Sequence, residues 1–66
     1  MSISTRVKNN TLVIKSSRSV DFEQYRPQME VYGLRYEVLS DRVATVDLTY
    51  VTTLAALEAH VYEVMG

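Results

Sequence analysis

The chain has 66 residues, 47% hydrophobic and 23% charged, which suits one small folded domain with a thin core and argues against a disordered chain. With no cysteine, disulfides, zinc–thiolate sites, iron–sulfur clusters and thiol nucleophiles are excluded. The net charge of −1 is unevenly spread: residues 1–20 carry Arg6, Lys8, Lys15 and Arg18 and no acid, while all eight acids lie in residues 21–66.

Residues 3–8 alternate, with Ile3, Thr5 and Val7 on one side and Ser4, Arg6 and Lys8 on the other. Asn9-Asn10 then suits a two-residue I′ turn, because asparagine tolerates positive φ. Such a loop pairs Val7 with Leu12, Arg6 with Val13 and Thr5 with Ile14. Ile3, Thr5, Val7, Leu12 and Ile14 then share one face, and Arg6, Lys8, Thr11, Val13 and Lys15 share the other.

A loop at residues 16–19 leads to Asp21, which reads as a helix N-cap with Gln24 as its capping-box partner; Val20 and Tyr25 suit a hydrophobic staple. Phe22, Tyr25, Met29 and Tyr32 form one apolar stripe, opposite an Arg26–Glu30 pair. Pro27 interrupts this helix and calls for a kink or a short first turn followed by a restart. Gly33 fits the position after the helix, with Leu34 supplying the apolar contact of a Schellman ending.

Residues 34–39 and 43–51 read as a second hairpin. A three-residue loop, Ser40-Asp41-Arg42, puts Leu34, Tyr36 and Val38 on the same face as Ala44, Val46, Leu48 and Tyr50, and sets Arg35 opposite Asp47. Leu39, Val43 and Val51 fall on the outer face. Residues 53–65 read as a helix capped by Thr52 or Thr53, with Leu54, Leu57, Val61, Val64 and Met65 facing the core and Ala55, Ala59, Tyr62 and Glu63 on the far side.

The fold expected is α+β, ordered ββαββα: a four-stranded, mostly antiparallel sheet with two helices packed on one face. The domain spans 1–66 as two ββα halves, 1–33 and 34–66, ending MEVYG and YEVMG. Their apolar stripes are out of phase, since Phe22 and Tyr25 map onto Ala55 and Glu58.

The N-terminus lacks the apolar run of a signal peptide, and no apolar run is long enough to span a membrane. A chain starting at Met reads as a short complete reading frame, and a cytoplasmic location is expected.

Arg6, Lys8 and Lys15, with Arg18 close in sequence, make a basic surface around Val13. It suits the solvated outside of an edge strand, an acidic protein partner or nucleic acid. Nucleic acid is the less favoured partner, because this face has no aromatic platform. Tyr62, flanked by Ala55 and Ala59, makes a second patch on which helix 1, a second copy in a homodimer, or a foreign protein can sit. His60 has Glu63 as its best local partner and no second histidine or cysteine, so neither a metal centre nor a catalytic base is expected. The acids show no catalytic pair. Residues 16–19 before a helix start also allow anion binding, with a plain connecting loop as the alternative.

Size and element order resemble, in general outline, the small free-standing proteins that phages and mobile elements use to block host enzymes; no residue motif carries this resemblance. The expected function is thus a non-enzymatic protein-interaction module without a cofactor, of the inhibitor type. The alternative is a nucleic-acid-binding regulator that uses the basic hairpin.

Overall fold

The computed structural model describes residues 2–66. In chain order it contains β1 (Ile3–Lys8), β2 (Thr11–Ser16), a 3-10 turn (Phe22–Tyr25), α1 (Arg26–Glu30), β3 (Arg35–Val38), β4 (Val43–Asp47) and α2 (Leu54–Met65). The strands form one sheet, ordered β1-β2-β4-β3, in which every pair is antiparallel.

The first hairpin has the expected register, Val7 opposite Leu12 and Thr5 opposite Ile14. Asn9 and Asn10 both take positive φ, 51° and 58°, as a I′ turn requires. The second hairpin keeps the three-residue loop and sets Arg35 opposite Asp47. Its strands are shorter than their sequence pattern. Asp47 Oδ1 accepts from the Thr49 N–H and hydroxyl, at 2.9 and 2.6 Å, and this Asx turn ends β4. The turn overturns two expectations. Tyr50 lies beyond the strand and is 80% exposed, not core-facing, and Val51 packs against the core, not on the outer face.

Pro27 is accommodated by a restart. Asp21 accepts from the Glu23 N–H at 3.2 Å and caps the 3-10 turn; α1 then begins with Pro27 in its first turn, where a missing N–H costs no helix bond. Gln24 joins only through its backbone N–H to Asp21 O, so no capping box forms. The change of pitch dephases the expected stripe. Phe22 and Met29 are fully buried and Tyr25 is half-buried, but Tyr32 lies past the end of α1 and is exposed. Gly33, at φ +71°, closes that turn by donating to Glu30 O.

Both helices lie on one face of the sheet. Leu12, Ile14, Tyr36, Ala44 and Val46 meet Phe22, Met29, Leu57, Val61 and Met65 in a single core cluster. Thr53 caps α2 by backbone conformation only, and Leu54 sits at the exposed rim. Thr5 Oγ1 donates to Glu58 Oε2 at 2.9 Å and ties β1 to α2. No helix among the described residues is long and apolar enough to cross a membrane.

Candidate functional site: the open sheet face and its edge

Because strand side chains alternate, the residues between the core positions point to the other side of the sheet. Among the described residues no element covers that side. Across it, one row reads Lys8, Thr11, Asp47, Arg35, and the next Arg6, Val13, Thr45, Glu37. Lys15 sits one row further, opposite Val43. Arg6, Lys8 and Lys15 are exposed, while Val13, Val43 and Thr45 are half-buried along the sheet centre.

The fold therefore brings Arg6, Lys8, Lys15 and Val13 together. Arg18 is not on this face. It follows β2 in the loop that meets the β3–β4 turn, where Val20 N–H donates to Asp41 O and Ser19 Oγ to Asp41 Oδ2. Among the described residues the only ion pairs are those of Arg26 with Glu23 and Glu30, so the basic hairpin has no internal acidic partner. Asp47 separates it from Arg35, whose guanidinium lies 5.8 Å from the centre of the exposed Tyr50 ring. The sequence pairing of Arg35 with Asp47 is thus a register relation, not a salt bridge.

The two sheet edges differ. On β3, the Tyr36 carbonyl accepts from Arg26 Nη1 at 3.1 Å, and the same guanidinium is held by Glu23 through two bonds of 2.7 Å. This lowers the Glu23 pKa and raises that of Arg26. On β1, the two-residue turn makes Lys8–Thr11 a hydrogen-bonded pair. By alternation, the backbone groups of Val7, Thr5 and Ile3 then face away from β2. Sequence reasoning missed both the capped and the open edge, because strand order is needed to say which strands are outermost.

On α2, Ala55, Ala59 and Tyr62 are exposed as expected, Tyr62 at 44%. Helix 1 does not cover Tyr62. It reaches α2 at His60, whose Nε2 lies 3.3 Å from Gln28 O and whose ring meets Tyr32 edge-on at 4.6 Å. A carbonyl only accepts, so this bond places the proton on Nε2, and the expected partner Glu63 plays no part. Ala59 and His60 line an open cleft of about 620 Å³ that Tyr32, Leu34, Tyr50 and Val51 complete. Asp21 caps the turn that follows residues 16–19, so the Glu23 N–H is already taken by its carboxylate. No protein-family model, curated protein or solved structure matches the chain.

Proposed function

We propose that the protein is a non-enzymatic, cytoplasmic interaction module that docks on an acidic surface of a larger protein and acts by occluding it. The observation that carries this reading is the solvent-open sheet face bearing Arg6, Lys8 and Lys15 with no acidic partner of its own. Half-buried Val13 and Val43 beside those charges supply the apolar centre that protein interfaces use. Nucleic acid is less well supported. The hairpin lacks a stacking ring, and the exposed Tyr50 lies beyond the negative charge of Asp47. The exposed Tyr62 between Ala55 and Ala59 supports homodimerisation through α2 as a secondary contact.

The test is capture of partners from host lysate, with and without nuclease, by wild type and by the triple variant Arg6→Glu, Lys8→Glu, Lys15→Glu. One protein recovered regardless of nuclease, and lost with the triple variant, is the expected result. Recovery that collapses on nuclease treatment would overturn the reading in favour of nucleic acid. The three side chains are exposed and remote from the core, so each reversal leaves stability within about 0.5 kcal/mol.

A further inference from the structure

An antiparallel sheet has two edges, and an uncovered edge is a template for another strand. Here β3 is short, four residues, and its Tyr36 carbonyl is occupied by Arg26. The β1 edge is six residues long, and among the described residues no other element hydrogen-bonds the backbone of Ile3, Thr5 or Val7. The side chains along β1 are sorted. Arg6 and Lys8 project to the open face, while Val7 projects to the helix side and remains 47% exposed, with Leu12 beside it on β2 and no strand on its outer flank.

We infer that β1 is a strand-addition site for an extended acidic segment of a protein partner, with acidic side chains opposite Arg6 and Lys8 and an apolar side chain opposite Val7. This rests on the protein-interaction reading above and specifies its mode. An added antiparallel strand bonds to the outward N–H and C=O of Thr5 and Val7. It meets Arg6 and Lys8 as non-hydrogen-bonded pairs, where opposite Cα atoms approach to about 4.5 Å and cross-strand charge pairs are closest.

A second copy of the chain does not fit this edge. Antiparallel self-pairing centred on Thr5 makes the two Arg6 side chains diagonal neighbours. Centring on Arg6 sets them directly opposite, and centring on Val7 sets Arg6 opposite Lys8. These three registers, which use the charged half of β1, bring like charges together, which is how lysine and arginine guard an edge against its own kind. An acidic strand meets no such barrier. A phosphate chain would satisfy the charges but offers no ladder of alternating donors and acceptors.

The test titrates isotope-labelled protein with a short capped peptide alternating glutamate and valine, following amide shifts and hydrogen exchange. Expected is exchange of the Thr5 and Val7 amides slowed by at least about tenfold at saturation. A lysine–valine peptide should not bind. The variant Val7→Pro removes an outward N–H and no β1–β2 bond, so it should fold and lose at least about tenfold in affinity. If it does not fold, the same peptide N-methylated at its valines makes the equivalent test on wild type and should not bind.

Binding that shifts Val13, Lys15 and Thr45 but leaves Thr5 and Val7 unprotected would overturn strand addition and leave the interaction reading standing. No peptide binding, with tight binding of a single-stranded oligonucleotide in a parallel arm, would overturn both; binding of neither would overturn the inference. Protection of Thr5 and Val7 that grows with protein concentration alone would replace the acidic partner by a second copy.

Discussion

The Tyr36 hydroxyl donates to the Phe22 carbonyl oxygen at 2.6 Å inside the core, joining β3 to the 3-10 turn. The bond satisfies a buried phenol and gives the Phe22 carbonyl a side-chain donor from the sheet. It explains how a tyrosine fills a position between the sheet and fully buried Phe22.

Tyr36→Phe removes this buried bond, and urea denaturation should find the variant less stable by about 1 kcal/mol. A second signature is alkaline. Burial pushes the Tyr36 phenol well above its ordinary pKa, with nearby Arg26 opposing. A folded-state pKa above the unfolded one means the contribution is complete below about pH 10 and is lost as pH rises through the folded value. The wild type should therefore lose stability above about pH 10 more steeply than the phenylalanine variant.

Asp47 behaves in the opposite sense. The Thr49 hydroxyl and then its backbone N–H hold the carboxyl below its ordinary pKa. The linked stability is present above the unfolded carboxylate pKa of about 3.9 and is lost as pH falls through the lower folded value. Thr49→Ala removes the hydroxyl and keeps the backbone bond. A carboxyl titration by NMR should show the Asp47 pKa rising part of the way to its ordinary value. An unchanged pKa would mean the hydroxyl contributes nothing.

Asn10→Gly creates Asn-Gly, the dipeptide best suited to a I′ turn. At φ 58° it removes the residual strain of a side chain in the left-handed region. The bond lost, Asn10 Nδ2 to Thr49 Oγ1, is long at 3.4 Å and exposed. Thermal unfolding should show a gain of a few tenths of a kcal/mol, on the order of 0.5. A loss would show that the Asn10–Thr49 contact outweighs the turn.

Arg26→Met removes the guanidinium that occupies the Tyr36 carbonyl and leaves a second open edge on β3. That edge carries Arg35 and Glu37, whose mixed charges do not repel a copy as Arg6 and Lys8 do. Sedimentation at rising concentration should show association in the variant beyond that of the wild type at the same concentration. A variant that sediments as the wild type does would mean that the shortness of β3, not Arg26, protects this edge.

Local chemistry alone determined much of this protein. The Asn9-Asn10 turn, the registers of both hairpins and the buried stripe Leu57, Val61 and Met65 follow from period-2 and period-3.6 patterns and from turn residues adjacent in sequence. So did the shared face of Arg6, Val13 and Lys15, because a hairpin register sorts side chains without reference to the rest of the chain. The tertiary structure decided what depends on distant segments meeting. Tyr32 and Tyr50 read as core because their spacing continued a pattern, but a change of helical pitch at Pro27 and an Asx turn at Asp47 ended each element early. His60 found Gln28 and Tyr32 instead of its helical neighbour Glu63. The open edge at β1 and the capped edge at β3 follow only from the order β1-β2-β4-β3. Which strand is left without a neighbour is a property of the assembled sheet, since the two hairpins are joined by residues 28 to 36 positions apart in the chain.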